Sequence, residues 1–346
     1  MRPATATAVP EAARLCRELS RRLEAAFVQA GLVDRTVALL DWPHHTNSGD
    51  SAIWVGELQV LRRLGNRLVH RCGQSDYDPE QIRSCLGREG VVLLHGGGSF
   101  GDVYPATQRF RERVLRDLVT LPVVQLPQSL HFQDPAAERT AAAAVSAHPD
   151  FTLLVRDDES RARAEQLGAR TLLSPDAAFG VHPVRERPTR HERLWLLRSD
   201  GESSNVRHVP DPLGIRIDWP GTGEATYVPR AIDKLLAHRR LLSRALGHGE
   251  PVLERAMDRL AQRRLDRGLA LLGQGAVVIT DRLHGHILST LLGRPHVLLD
   301  NRIGKIGNFH ATWTKDVSFV RFASSSEAAL YAAEELADLH RRPKAA

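Results

Sequence analysis

The stretch AVVITDRLHGHILSTLL, residues 276–292, passes from a short run of β-branched residues to a helical pattern, with polar and charged side chains at the junction. The same order recurs in GVVLLHGGGSFGD, residues 90–102, and in FTLLVRDDES, residues 151–160. Short strands that alternate with longer helices are typical of a parallel α/β sheet. Ligands of such sheets bind beyond the carboxyl ends of the strands, and the polar junctions lie there.

The strand pattern divides the chain into two sets. The predicted strands are residues 36–41, 66–71, 90–95, 122–127, 151–156 and 169–174, and then 193–199, 214–219, 276–280, 295–300 and 317–322. Between the sets lies VHPVRERPTRHE, residues 181–192, whose prolines and charges predict a linker. We therefore expect an α/β protein with two Rossmann-like domains, residues 1–180 and 193–346, facing each other across a cleft.

The composition is that of a globular protein with an anionic partner. The 346 residues are 42% hydrophobic and 25% charged, with neither an apolar run long enough to cross a membrane nor a signal-peptide core. Three cysteines without metal-ligand spacing argue against disulfides and zinc, so we expect a cytoplasmic protein. The net charge of +6 favours an anionic substrate, or peripheral contact with the inner face of a membrane, over nucleic acid, because no recognition motif accompanies it.

The loop after the first strand is densely polar. His44, His45, Thr46 and Asn47 precede Asp50, which we predict to be the N-cap of a helix beginning at residue 51. A capped connector explains this loop equally well. The alternative is a binding loop in which Asn47 donates to a sugar and Asp50 takes part in proton transfer.

The glycine-rich segment of residues 96–101 formally matches the dinucleotide-binding pattern G-x-G-x-x-G. The strand that follows, residues 122–127, ends without the acidic residue that would grip a ribose, which argues against nicotinamide binding. We expect instead that the bare backbone at Gly97 and Gly98 lets a substrate approach closely. Asp102, at the rim, is then a helix N-cap or a catalytic carboxylate.

The junction after residues 276–280 predicts an anion site. Asp281 is expected to be the N-cap of the next helix, with Arg282 and His284 in its first turn. The N-terminus of a helix attracts anions through its N–H groups and dipole, and an arginine adds bidentate pairing. Because residues two apart on a helix do not face each other, His284 and His286 do not form a zinc pair.

Two further cations lie at predicted loops. Arg156 ends the strand of residues 151–156, where a surface ion pair with Asp158 or Glu159 would account for it. Lys305 is one of only four lysines in the chain and lies in a glycine-containing loop. Its use there suggests that an ammonium group is required at this position.

Seven short motifs, taken in order, resemble those of the polysaccharide pyruvyl transferases. They are NSGD at 47–50, GGGSFGD at 96–102, LPQS at 126–129, VRDDES at 155–160, SPDAAF at 174–179, TDRLHGH at 280–286 and Gly-Lys at 304–305. Each motif is weak alone, but the ordered set spans about residues 37–322 and is specific.

The resemblance implies a fold similar to the GT-B glycosyltransferases, with the acceptor on the N-terminal domain and phosphoenolpyruvate on the C-terminal one. It implies transfer of a pyruvyl ketal group from phosphoenolpyruvate to a sugar, free or lipid-linked, of a cell-surface polysaccharide or its precursor. The resemblance calls for no cofactor and no metal. The donor would be held by four residues, Arg156, Arg282, His284 and Lys305, with His284 as the general acid.

The residues leave several points open. Asp102 or Asp50 could accept the proton of the sugar hydroxyl. A nucleotide-sugar glycosyltransferase of the same fold would need an acidic residue to grip a ribose near the glycine-containing loop of the second domain, and Asp300 is only a poor candidate. A non-catalytic relative that binds anionic glycans would have no need to keep a charged or histidine residue at every matched position.

Overall fold

The first half of the chain forms a seven-stranded parallel sheet. The computed structural model describes residues 9–198, 210–219 and 250–341. The strands run in the order β2-β1-β3-β5-β6-β7, with β4 beside β5. Their bounds are β1 (Thr36–Leu40), β2 (Arg67–Cys72), β3 (Val91–Leu94), β4 (Gly97–Gly101), β5 (Val123–His131), β6 (Phe151–Val155) and β7 (Arg170–Leu173).

Helices cross between these strands, as a parallel sheet requires. They are α1 (Pro10–Gln29), α2 (Ser48–Arg63), α3 (Pro79–Leu86), α4 (Pro105–Asp117), α5 (Pro135–Ala147) and α6 (Asp158–Gln166), followed by a 3-10 helix, Ala177–Val181. Every residue of β1 from Val37 onward, and all of β3 and β6, is buried. Such continuous apolar runs are expected where helices cover both faces of a sheet.

The second half forms a five-stranded parallel sheet in the order β12-β11-β10-β8-β9. Its strands are β8 (His191–Leu196), β9 (Gly214–Ile217), β10 (Gly275–Thr280), β11 (His296–Leu299) and β12 (Val320–Ala323). Its helices are α7 (Glu250–Leu272), α8 (Leu283–Leu291), α9 (Lys305–Trp313) and α10 (Ser326–Arg341). The sequence also predicts a helix at residues 228–247, which lie outside the described residues. Among the described helices, none is both long and apolar enough to cross a membrane.

The predicted parallel α/β architecture is confirmed, and one hydrophobic core joins the two sheets. That core contains residues of β1 and β3 together with residues of β8, β10 and β11. Helix α1 contributes to it and reaches the second half, where the Val9 amide donates to the Gly293 carbonyl over 3.1 Å. Helices α2 and α7 pack against each other between the sheets. The division into domains at residues 181–192 therefore stays a prediction.

A chain of hydrogen-bonded side chains anchors α8. His296 Nδ1 lies 2.7 Å from the Arg294 carbonyl oxygen, and its Nε2 lies 2.6 Å from Nδ1 of His286. Because a carbonyl only accepts, His296 donates to it and accepts from His286. His286 Nε2 lies 3.0 Å from the hydroxyl of Thr314, which also contacts His310. The buried rings are satisfied in their neutral forms, so α8 is fixed without a buried charge.

We predict that this chain makes the fold sensitive to mild acid. Burial lowers the pKa of His296 to about 4 and that of His286 well below its usual value. The unfolded chain, with histidine pKa values near 6.5, therefore takes up protons first as the pH falls. Above about pH 6.5, neutral His296 makes its full contribution to the free energy of unfolding. This contribution declines toward pH 4, and roughly 2 kcal/mol of it is lost at pH 5.

Urea unfolding of His296→Gln at pH 7 and pH 5 tests this expectation. Glutamine does not titrate, so the variant should be less stable than the wild type at pH 7 but lose less stability between the two pH values. Equal losses in the two proteins would show that His296 is not the group responsible.

Candidate functional site

A cavity of about 730 Å³ opens at the carboxyl ends of strands from both sheets. Its walls come from the segments after β1, β3 and β6 of the first sheet and after β8, β10 and β11 of the second. Seven of the nine predicted site residues line it: Asn47, Asp50, Gly98, Arg156, Arg282, His284 and Lys305. Gly97 and Asp102 do not. The rule that ligands bind beyond strand ends therefore located the cavity, and the roles of its residues stay a prediction.

Helix α2 begins three residues earlier than predicted, and its N-cap is Asn47 rather than Asp50. The Asn47 side chain accepts from the Gly49 amide over 2.9 Å and donates to Asp50 over 2.7 Å. Asp50 thus lies in the first turn and faces the cavity. Burial raises the pKa of this carboxyl, but the positive charges of His45 and His284 outweigh burial and hold the pKa below its usual value.

Arg156 is a buried residue and not part of a surface ion pair, which corrects the interpretation from sequence. Its Nη1 lies 2.6 Å from Asp176 Oδ2, and its Nε donates to the Ser129 hydroxyl over 2.8 Å. The exposed Asp158 pairs with Arg161 instead. Asp157 caps α6, accepting from the backbone amide of Ser160. The guanidinium of Arg156 is therefore fixed in direction toward the cavity.

Asp176 is one of the residues that sequence reasoning missed. It lies in the matched SPDAAF motif but was given no role. Its fully buried carboxylate contacts Arg156, accepts from the Ala178 amide over 2.8 Å, and lies 3.5 Å from Nε2 of His284. Burial raises the pKa of Asp176, but the charges of His284 and Arg156 outweigh burial and hold it well below its usual range. One anion thus orients two site residues.

The glycine-rich segment forms strand β4, where a loop was predicted. The carbonyl oxygen of Gly98 accepts from Lys305 Nζ over 2.7 Å. A Cβ atom on Gly98 would lie 2.7 Å from Arg156 Nη2 and 3.2 Å from Lys305 Nζ. Only hydrogen on Gly98 lets an arginine from the first half and a lysine from the second converge on the same backbone. Cationic residues of the site thus come from both halves and not from the C-terminal half alone.

Asp102 and Gly97 lie outside the cavity. The Asp102 carboxylate accepts from the backbone amides of Gln133 and Asp134 over 2.7 and 2.6 Å, which fixes the loop after β5. It is not the N-cap of α4, which is Tyr104. Gly97 pairs with β5 in the sheet. Neither residue is placed where it could contact a molecule in the cavity.

The N-cap of α8 is Arg282 and not Asp281. Asp281 accepts instead from the Arg198 amide over 2.8 Å. The guanidinium of Arg282 makes a two-pronged pair with Asp218, Nε to Oδ1 at 2.5 Å and Nη2 to Oδ2 at 2.8 Å. Arg282 lies in the cavity as predicted, but a carboxylate from the segment after β9 already binds it. No motif or spacing in the sequence pointed to Asp218.

His284 is held closely against the start of α2. A Cβ atom on Gly49 would lie 2.4 Å from its ring, so this approach requires glycine at position 49. Nε2 of His284 is buried and forms no hydrogen bond within the described residues, with Asp176 at 3.5 Å. The ring is therefore placed beside the cations but keeps one nitrogen available for chemistry.

Comparison with known proteins decides the family. The family model described as "Polysaccharide pyruvyl transferase" matches residues 47–302. The chain belongs to this family. The match runs from the N-cap of α2 to the segment after β11, so it covers all but one of the cavity-lining residues that were predicted, Lys305 being the exception. A pyruvyl transferase of this family is a transferase with a pyruvate donor and a sugar acceptor.

Related proteins agree with this assignment. "Pyruvyl transferase 1" of Schizosaccharomyces pombe is 33% identical over 295 residues, 81% of this chain and 70% of that protein. "Putative pyruvyl transferase EpsO" of Bacillus subtilis is 28% identical over 290 residues, 81% of this chain and 86% of that protein. A crystal structure of an uncharacterised Klebsiella pneumoniae protein has the same fold, with a TM-score of 0.56 at 14% identity over 89% of this chain and 99% of that one.

We predict that Gly98→Ala weakens anion binding by about tenfold to a hundredfold. The new methyl group displaces Arg156 or Lys305, and one charge-assisted hydrogen bond is worth roughly 1.5–3 kcal/mol. Calorimetric titration with phosphoenolpyruvate measures the change. Gly31→Ala is the control for a general loss of stability, because its φ of 78° strains an alanine while the new Cβ meets no atom within 4 Å and the residue does not line the cavity. Unchanged affinity in Gly98→Ala would show that the anion binds elsewhere.

Proposed function

We propose that this protein transfers a pyruvyl group from phosphoenolpyruvate to a sugar of a cell-surface polysaccharide or its precursor, forming a cyclic ketal. The observation that carries this proposal is the convergence of Arg156 and Lys305 on the bare backbone of Gly98, beside the available nitrogen of His284. Cations for a dianionic donor and a proton donor for its double bond then share one cavity.

The donor carries a phosphate and a carboxylate, and both need positive partners. Arg156 and Lys305 supply two charges, and the N-terminus of α8 adds the partial charge of the helix dipole. Arg282 adds a third cation at the N-cap of α8. Because Asp218 binds its guanidinium, we expect Arg282 to exchange this carboxylate for a group of the donor, or to bind the donor from its remaining face.

The reaction begins with a proton. His284 gives it to the methylene carbon of phosphoenolpyruvate, which leaves cationic character at the adjacent carbon. A sugar hydroxyl adds to that carbon, phosphate leaves, and a second hydroxyl closes the ring. The cations stabilise the phosphate as it takes the electron pair of the breaking bond. Asp176, whose Oδ2 lies 3.5 Å from Nε2 of His284, orients the ring for this transfer.

We propose that the acceptor sugar binds along the polar loop before α2. Asn47 and Thr46 line the cavity there and offer an amide and a hydroxyl group. Asp50 faces the same space and is the better of the two candidate bases, because Asp102 lies outside the cavity. The net charge of +6 suits a cytoplasmic enzyme that meets lipid-linked acceptors at an anionic membrane. In this proposal the two sheets serve as the two lobes of a GT-B-like enzyme.

The nucleotide-sugar alternative gains no support from its candidate residue. Asp300 does not line the cavity. Its carboxylate accepts from the backbone amides of Asn301 and Gly307 over 2.9 and 3.4 Å, within its own loop. It is therefore engaged in holding the start of α9 and is not presented to a ribose.

Incubation with phosphoenolpyruvate and a panel of methyl hexopyranosides tests the proposed function. We expect phosphate release that depends on the sugar, and a product whose mass increases by one pyruvyl ketal. Thermal-shift measurements with phosphoenolpyruvate and with nucleotide sugars run alongside. Stabilisation by a nucleotide sugar but not by phosphoenolpyruvate, with no phosphate release, would overturn the proposal in favour of glycosyl transfer.

We predict that His284→Asn loses about 10²–10⁴-fold in turnover, the usual contribution of a general acid. Asparagine keeps a hydrogen bond at this position but delivers no proton at neutral pH. Binding of phosphoenolpyruvate, measured separately by calorimetry, should stay within about tenfold of the wild type. Normal turnover at saturating donor would remove His284 as the acid, and Lys305 would be the next candidate.

A further inference from the structure

Among the histidines that line the cavity, His95 was given no role from the sequence. His95 follows β3 at the same sheet edge as Arg156 and lines the cavity, with its side chain buried. Its Nδ1 lies 2.7 Å from Oε2 of Glu57, a wholly buried residue of α2. A histidine bound to a buried carboxylate, at the wall of a substrate cavity, is the arrangement of a proton-transfer pair.

The hydrogen bonds of Glu57 fix the tautomer of His95. The other oxygen, Oε1, accepts from the backbone amide of Gly96 over 2.7 Å. Since both oxygens of Glu57 meet donors, Nδ1 of His95 carries a proton. In the neutral ring Nε2 then bears the lone pair. The ring of Trp54 packs edge-on against His95 at 5.5 Å between centroids, which limits its rotation.

Nε2 of His95 is buried and has no hydrogen-bond partner within the described residues. Buried polar atoms are seldom left unsatisfied, because doing so costs about 1–3 kcal/mol. Two carboxylates that line the cavity, Asp41 and Asp50, interact with the charge of this ring. The unsatisfied nitrogen therefore belongs to a ring at the cavity wall, where a substrate hydroxyl would complete its hydrogen bonding.

We propose that His95 is the base that takes the proton of the attacking sugar hydroxyl, and that Glu57 is its positioning residue. The proposal rests on the proposed function and assigns the second proton-transfer group of that reaction. His284 and His95 then act as a pair, one supplying a proton to the donor and the other removing one from the acceptor.

The protons and electrons balance across this pair. His284 gives a proton to the methylene carbon, and the first hydroxyl oxygen bonds to the adjacent carbon as its own proton passes to His95. The bond from that carbon to the phosphate oxygen breaks, phosphate keeps the electron pair, and His95 returns the proton to it. The second hydroxyl oxygen then bonds to the same carbon and closes the ketal, and its proton passes to His284. Both histidines end the reaction in the protonation states in which they began it, and hydrogen phosphate is released.

The electrostatics of His95 suit a base better than those of Asp50. Burial lowers the pKa of His95, but the carboxylates of Glu57, Asp41 and Asp50 outweigh burial and raise it above its usual value. The pKa of Asp50 is lowered, as described above, which makes it a weak proton acceptor. Asp50 then balances the charge of the histidines around it, and His95 accepts the proton.

Turnover and donor binding of His95→Asn test the proposal. We expect a loss of about 10²–10⁴-fold in phosphate release with the active methyl hexopyranoside, while the Kd for phosphoenolpyruvate stays within about tenfold. His70→Asn is the matched control. His70 is also a buried histidine beside a buried glutamate, Glu254 at 3.6 Å, but it does not line the cavity. Its turnover per folded molecule should equal that of the wild type.

The variant Glu57→Gln tests whether Glu57 positions His95 for proton transfer or only stabilises the local structure. The amide oxygen must face the Gly96 donor, so the amide NH₂ faces His95 Nδ1 and forces the ring proton to Nε2, the wrong tautomer for a base. Nitrogen-15 NMR of labelled histidine should report this exchange of tautomers in a folded protein, together with a turnover loss comparable to that of His95→Asn. A residue with a purely structural role would change the melting temperature without changing the tautomer and turnover together.

The possible outcomes distinguish the two proposals. A wild-type protein that neither binds phosphoenolpyruvate nor releases phosphate with any sugar overturns the proposed function and the role of His95 with it. An active wild type with an equally active His95→Asn variant overturns only the role of His95. A tautomer that changes in Glu57→Gln without loss of turnover also overturns it.

Discussion

The buried ion pair between Arg156 and Asp176 is the contact on which the site depends. Both side chains are almost wholly removed from solvent, and their atoms lie 2.6 Å apart. Removing two charges from water costs about as much as their attraction returns, so such a pair contributes little to net stability. The pair serves instead to orient side chains. It fixes the Arg156 guanidinium at the end of β6, and it places the Asp176 carboxylate beside His284, which belongs to the other sheet.

Charge balance explains how so many cations share one cavity. Asp176 offsets Arg156, Asp218 offsets Arg282, and a backbone carbonyl accepts from Lys305. Each of these three cations therefore has a partner within the protein. A dianionic ligand gains affinity only where its oxygens bind these cations more strongly than their present partners do. This requirement favours a ligand with several oxygens in a fixed arrangement.

The sequence predicted the class of fold and most of the site because both depend on local patterns. Apolar runs that end in polar residues located the strand ends, and Arg156, Arg282 and His284 lay where that rule put them. Asp176, Asp218 and Glu57 were missed since their roles depend on partners far away in the chain: Asp218 lies 64 residues from Arg282, and Glu57 lies 38 from His95. Asp102 was misjudged because a carboxylate near a glycine-rich segment can equally well bind backbone amides.

The position of α1 has a consequence for how the chain is made. This helix is synthesised before the rest of the described chain, yet its thiol at Cys16 donates to the carbonyl of Thr290, 274 positions later. The buried face that includes Leu19 and Leu23 has its full set of neighbours only after α8 has been synthesised. Contacts of such long sequence separation form late and slow folding. Until the second half follows, the nascent N-terminal half therefore exposes part of the apolar face of this amphipathic helix, and chaperones bind such faces.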